Sequence, residues 1–301
     1  MQWKHITVNW QLYVLVALPV AWLILFLYIP MYGNIIAFKD FIPIKGILGS
    51  PWVGFANFAR FFRSYNFQNV MWNTFFLSVY SLVCGFPIPI ALALVLHYSP
   101  SPRYKRTVQM VTYAPYFIST VVMVGIIYRL LSQRIGIVNL ILVALGIPEK
   151  DFLGSPALFP HVYVWTGIWQ GMGWGTIIYL AALSGVDPEL HEAARVDGAN
   201  IWQRMWFIDI RGIMPTIVIL LILSVGSILN VGFEKVFLMQ NALNIRASEV
   251  IQTYVYKVGL ASQNPNFAYA SAIGLFGNAI NFVLLVAVNY IARRFGETSL
   301  W

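Results

Sequence analysis

The amino-acid sequence predicts an all-α integral membrane protein with six transmembrane helices. Three observations carry that expectation. Of 301 residues, 59% are hydrophobic and 10% charged, whereas a soluble chain carries roughly 25% charged residues. The mean hydropathy is +0.71. Six stretches, at 12–29, 70–96, 107–128, 162–186, 212–233 and 258–292, contain no Asp, Glu, Lys, Arg or His, and each reaches the ~18 residues needed to cross a bilayer core.

The first stretch follows Met1-Gln2-Trp3-Lys4-His5 and runs into Tyr28-Ile29-Pro30-Met31-Tyr32 with no small-residue cleavage site, so it reads as an uncleaved helix. Residues 1–69 are expected to hold this helix and an external connection. Pro87 and Pro89 in the second stretch and Pro115 in the third remove backbone donors and are expected to bend their helices. The fourth contains Gly171, Gly173 and Gly175 and the sixth Gly274 and Gly277, small residues that let helices approach closely. Residues 70–292 then read as a five-helix core with a long polar loop at 187–215, and 293–301 as a tail.

The net charge of +8 arises from 19 Lys+Arg against 11 Asp+Glu. The basic residues sit between apolar runs, which suits lipid head groups rather than nucleic acid. An even number of crossings puts both termini on one side. Arg103-Tyr104-Lys105-Arg106 and Arg293-Arg294 abut span ends, while Lys39, Lys45, Lys150, Arg246 and Lys257 are spread through longer loops; that density places both termini in the cytoplasm. The loops at about 34–69, 129–161 and 234–266 fall on the other side, with Val53-Gly54-Phe55-Ala56-Asn57-Phe58 and Arg60-Phe61-Phe62-Arg63 suited to the interface. A single cysteine, Cys84, rules out an intramolecular disulfide and a Cys-based metal site.

The loop at 187–215 opens as a well-specified helix. Asp187 is an N-cap type, Pro188 suits the first helical position, and Glu189 and Glu192 put negative charge near the positive helix end. Gly198 can end it in a left-handed turn. Leu190, Ala193, Ala194 and Val196 give it a small apolar side, and Glu192 and Arg195 supply directional polar groups. Helix signals alone fit either a peg for another protein's groove or a helix resting on the membrane surface.

The wider pattern is more specific. Glu192-Ala193-Ala194, three residues, Gly198, nine residues and Ile208 resembles the cytoplasmic signature of type I ATP-binding-cassette importer permeases. Asp187-Pro188 and Asp197-Gly198-Ala199, with Phe237-Leu238-Met239-Gln240-Asn241 further on, look like the carbohydrate-uptake branch, most like its oligosaccharide and polysaccharide permeases. The family usually closes this signature with Ile-x-Leu-Pro; here Ile208-Asp209 is followed by Ile210-Arg211 and the proline comes only at Pro215, so the second half of the loop is expected to bend differently. The resemblance implies the type I importer permease fold, with Glu192, Ala193, Ala194, Asp197, Gly198 and Ala199 forming a coupling helix that an ATPase subunit grips. It also implies alternating access, a second permease, two ATPase subunits carrying ATP and Mg, an extracytoplasmic solute-binding protein, an oligosaccharide substrate and a bacterial inner membrane.

For the passage, neutral polar and aromatic groups offer hydroxyl partners and flat faces to sugar rings. Tyr113, Tyr116, Trp165, Trp169, Gln170 and Asn230 are the candidates, with Trp165, Trp169 and Gln170 at i, i+4 and i+5 on one side of the fourth span. Belt and interhelical roles explain each singly. The second, third, fourth and sixth stretches lack ionisable groups, which argues against secondary transport; the competing functions are an ion-coupled secondary sugar carrier or a lipid-linked sugar flippase, and then a non-transporting scaffold for an ATPase. His5, His97, His161 and His191 scatter outside the apolar stretches, so no catalytic or metal set is expected. No Gly-x-x-x-x-Gly-Lys-Ser/Thr loop occurs, so ATP hydrolysis belongs on another polypeptide, with no cofactor expected on this one.

Overall fold

The computed structural model describes residues 10–294. Met1 to His5 and most of the 293–301 tail lie outside the described residues. The chain divides into two compact units, one of residues 1–64 with 255–276, the other of 65–254 with 277–301.

In the first unit, α1 runs from Trp10 to Phe38, 29 residues whose most apolar part is left unburied. The connection that follows is ordered by side chains that satisfy its backbone. Lys39 Nζ donates to the carbonyl of Ile47 at 2.7 Å, and Asn57 Nδ2 donates to those of Ala37 and Lys39 at 2.9 and 3.0 Å. A short helix, Ala56–Phe62, follows, where Phe61 is buried against the rings of Tyr269 and Phe276.

The second unit begins with α2, Asn66–His97, a single 32-residue span. The expected bends at Pro87 and Pro89 do not break it, because Pro87 sits in the first turn after Phe86, where its missing N–H disrupts little. Pro115 behaves as expected. The third apolar stretch divides into α3, Pro102–Phe117, and α4, Thr120–Leu131, which meet at 104°. Ser119 caps α4 by accepting from the Val122 N–H. α5, Phe159–Ser184, has 26 residues and packs on the second half of α2 and on α3.

The polar loop forms α6, Pro188–Val196, and α7, Ile201–Gly212, which meets α8, Met214–Gly226, at 62°. The fifth apolar stretch is therefore shorter than 212–233. Its helix ends at Gly226, and α9, Phe233–Met239, follows a non-helical turn. The last helix, α10, is Phe267–Arg294, so the first residues of the 258–292 stretch form a π turn, Lys257–Ala261.

By length and composition, α1, α2 and α10 can each cross a membrane, and the two bent pairs raise the number to five. α5 is long enough, but Trp, Thr, Gln and Gly dilute its apolar character.

The main core joins Leu77 of α2, Met123, Val124 and Ile127 of α4, Phe159, Tyr163 and Val164 of α5, and Val236 and Met239 of α9. Polar side chains hold the segment after α9 against it. Asn244 is fully buried and donates to the carbonyls of Leu153 and Met239 at 2.8 and 2.9 Å. Asn73 donates to those of Arg246 and Glu249. Irregular backbone near a bilayer needs such partners because water is scarce.

α3 and α5 touch at Gly173, where an added Cβ would overlap the Thr112 carbonyl. Gly173→Val is expected to destabilise the detergent-solubilised protein by about 1–3 kcal/mol, the cost of overpacking, seen as a lowered Tm. Gly125→Ala, with nothing within 4 Å of its Cβ position, should leave Tm unchanged or slightly raised.

Candidate functional site

Two features of the second unit stand out: the α6 loop and a polar cavity beside α5. The loop folds from local chemistry. Asp187 Oδ1 accepts from the Glu189 N–H at 2.9 Å. At the far end the Ala199 N–H reaches back to the Ala194 carbonyl at 2.8 Å and the Gly198 N–H to that of Arg195 at 3.1 Å. This Schellman closure requires a left-handed residue, and Gly198 adopts φ +79°. Asn200 and Gln203 then exchange side-chain and backbone hydrogen bonds at 2.9 and 2.8 Å to start α7.

Of the expected coupling residues, Glu192, Ala193, Asp197 and Gly198 are exposed, and Ala194 and Ala199 are half-buried. Val196 is 88% exposed, and Leu190, Trp202 and Trp206 are exposed as well. The inward side is fastened to the bundle. Asp209, which is 0% exposed, lies where α7 loosens into a π turn, Met205–Asp209. Its Oδ2 accepts from Tyr98 Oη at 2.6 Å, and its Oδ1 lies 3.1 Å from His191 Nε2 and 3.9 Å from His97 Nε2. His191 Nε2 and Asp209 Oδ1 meet at 3.1 Å without a hydrogen bond between them. Burial, and then the bond to Asp209, raise the Tyr98 phenol well above its ordinary range, so it remains a donor at neutral pH. The buried Arg204 guanidinium lies 5.8 Å from the Tyr98 ring centre.

The histidines that looked scattered thus converge in part: His97 from α2 and His191 from α6 meet Asp209 of α7, their donor atoms within 4.8 Å of one another. Ile208 to Arg211, where the sequence departs from the family pattern, is where Asp209 turns inward. The bend falls later, at Ile213 just before Pro215. Ala93, Leu94, Tyr179, Leu183 and Ile213 form a small apolar core beside this clasp.

The cavity comprises two adjoining lobes of about 380 and 280 Å³ that share Ser81, Gly85 and Tyr163, each near the lower end of the ~300–1,000 Å³ range of ligand pockets. Ser78, Ser224, Ser227 and Asn230 line the larger lobe. Pro89, Gly167, Gly171 and Lys235 line the smaller. On α5 the lining residues Tyr163, Gly167 and Gly171 recur every four residues, one face of a helix.

Among the sequence candidates only Asn230 lines either lobe. Tyr116 stacks on Trp174, centroids 4.6 Å apart. Gln170 Nε2 donates to the Ile118 carbonyl at 3.1 Å, bracing the break between α3 and α4. Trp165 donates to Tyr80 Oη at 3.0 Å from an exposed position, and Trp169 is also exposed. Tyr113 is half-buried beside Gly173.

Lys235, which lies beyond the apolar stretches on α9, is a site residue that the sequence pattern does not single out. It is 8% exposed. Its Nζ donates to the Tyr163 carbonyl at 3.0 Å and sits 5.0 Å from the Tyr163 ring centre. Burial pushes its ammonium down to about 8. The signal in the sequence is a lone cation just after an apolar stretch.

The same architecture recurs in known proteins. Residues 85–297 match the family described as binding-protein-dependent transport system inner membrane component. The chain is 40% identical over 290 residues to the polygalacturonan/rhamnogalacturonan transport system permease protein YteP of Bacillus subtilis (strain 168), covering 96% of this chain and 90% of that one. It is 26% identical over 276 residues to the arabinooligosaccharides transport system permease protein AraP of the same bacterium, covering 91% and 84%. A chain in the crystal structure of a bacterial ABC transporter involved in import of the acidic polysaccharide alginate superposes with a TM-score of 0.89 at 37% identity, covering 97% of this chain and 98% of that one. A chain of the bacterial alginate transporter in complex with an alginate pentasaccharide-bound periplasmic protein gives 0.91 at 36% identity, with 99% of each covered. The capped exposed helix, the multi-pass apolar bundle and these likenesses converge: this chain belongs to the binding-protein-dependent transport system inner membrane component family and has the type I ABC importer permease fold.

Proposed function

We propose that this chain is one of two permease subunits of an ATP-driven, binding-protein-dependent importer that carries uronate-rich oligosaccharides across a bacterial inner membrane by alternating access. The observation that carries the reading is α6: a short helix capped at both ends, with exposed apolar side chains, and clasped inward to α2 and α7 through Asp209. Such a peg transmits motion because it resists deformation and has a fixed seat.

Glu192, Ala193, Ala194, Asp197, Gly198 and Ala199 form the face that an ATPase subunit grips. Two such subunits supply ATP and Mg, since this sequence holds no phosphate-binding loop of that class. Both termini and α6 lie in the cytoplasm, and an extracytoplasmic solute-binding protein delivers the sugar from the opposite side. α1 embraces the second permease and α5 supplies the sixth crossing. The uronate assignment draws support from the polygalacturonan/rhamnogalacturonan permease at 40% identity and from the alginate importer at 37% identity.

The deciding experiment is uptake of oligogalacturonate into proteoliposomes holding the whole complex. Uptake should require internal ATP, Mg and the loaded binding protein, and vanadate should stop it. Uptake driven by an ion gradient without ATP would overturn the reading in favour of a secondary carrier.

Glu192→Lys, which inverts the charge of the peg, should lower uptake at least tenfold while membrane insertion is retained and ATPase activity no longer responds to loaded binding protein. Gly198→Pro should act alike. Wild-type uptake in both would remove α6 from the coupling role.

Asp209→Ala removes the acceptor of the half-buried Tyr98 hydroxyl, an expected cost of about 1 kcal/mol. Amide hydrogen exchange across 188–196 should speed up, with slower exchange elsewhere in the bundle unaltered. Unchanged protection of α6 would show that the apolar contacts alone seat it.

A further inference from the structure

Lys235 is a buried cation without a buried anion. Its ammonium has three donors; one goes to the Tyr163 carbonyl at 3.0 Å. Lys235 belongs to neither of the ion pairs at Asp209, and burial is the one influence that lowers its ammonium. Glu234, its neighbour in sequence, is exposed. Taking an ammonium out of water without a partner is costly, so such a group is retained where something else completes it.

The surroundings identify what completes it. Lys235 forms part of the wall of the smaller cavity lobe, where the adjoining α5 residues are Gly167 and Gly171. A Cβ on Gly167 would come to 3.2 Å from Lys235 Nζ, so the glycine keeps the space beside the ammonium open. The remaining polar lining is neutral: Ser81 here, and Ser78, Ser224, Ser227 and Asn230 in the adjoining lobe. Hydroxyls and an amide suit sugar hydroxyls, and one ammonium among them suits one carboxylate, held by a charge-assisted hydrogen bond of about 2.7–2.9 Å.

We propose that Lys235 is a carboxylate-binding site in the translocation passage, which engages a uronate group of the oligosaccharide while the serine and asparagine groups hold its hydroxyls. The proposal rests on the uptake function above and adds that the permease itself, and not only the binding protein, distinguishes charged from neutral sugar. Neutralising the sugar's charge removes the partner of the ammonium and leaves the hydroxyl contacts in place, so discrimination resides in the carboxylate.

The test compares digalacturonate with its dimethyl ester, the same sugar with both carboxylate charges removed. Binding of each to the detergent-purified complex is measured by calorimetry without the binding protein. The wild-type complex should bind the acid at least tenfold more tightly than the ester. Lys235→Gln should abolish that preference by weakening the acid alone, and Lys235→Arg should keep it. Gly167→Ala, whose methyl group crowds the ammonium, should reduce the preference and serves as the readout if Lys235→Gln fails to assemble. An undiminished acid preference in Lys235→Gln, or equal binding of acid and ester by wild type, overturns the proposal. If ATP-dependent oligogalacturonate uptake persists alongside either result, only the Lys235 assignment falls. If the wild-type complex neither binds nor imports the acid while hydrolysing ATP normally, the uronate reading falls with it.

Discussion

Asp209 is the point on which the α6 end of this permease is hung. A fully buried carboxyl cannot be left to itself in an apolar bundle, and its two oxygens are turned to separate elements: one to Tyr98 just past the end of α2, the other to His191 on α6. The carboxyl thereby ties α6, α7 and α2 at one place. Without that tie α6 would be a nine-residue helix, too short to persist on its own propensity. Its caps define where it begins and ends; the clasp defines where it sits.

The two halves of the site differ in how far the sequence reveals them. The ends of α6 are legible because capping acts over a few residues: Asp187 reaches Glu189, and Ala199 reaches back to Ala194 through the left-handed Gly198. The apolar stretches are legible for a similar reason, since exclusion of charge is a local property. The clasp is not, because His97, His191 and Asp209 are separated along the chain and meet only when α2, α6 and α7 pack. Ile210-Arg211 stands out as a departure from a pattern, yet the consequential residue is the aspartate just before it.

The passage is harder to read because a cavity is made by what is missing. Searching for rings and amides that could hold a sugar selects Trp165, Trp169 and Gln170, which lie beside the strip that faces the cavity. That strip is Tyr163, Gly167 and Gly171. Small residues in a membrane helix ordinarily signal close packing, and Gly173 against Thr112 is such a contact. Gly167 and Gly171, on the same helix, open space instead. Nothing in the spacing separates the two uses; only the position of neighbouring helices does.

The clasp and the cavity also share a helix. α2 contributes Gly85 and Pro89 to the cavity wall and reaches the clasp at His97. From Pro89 to His97 the rise is roughly 12 Å, about two turns at 1.5 Å per residue. Any displacement of α6 at the clasp therefore enters α2 close to the cavity wall, through side chains packed on a helix rather than a flexible tether. In mechanical terms α2 is a short rod between clasp and cavity, and what it passes on depends on how little movement is lost where it meets α6.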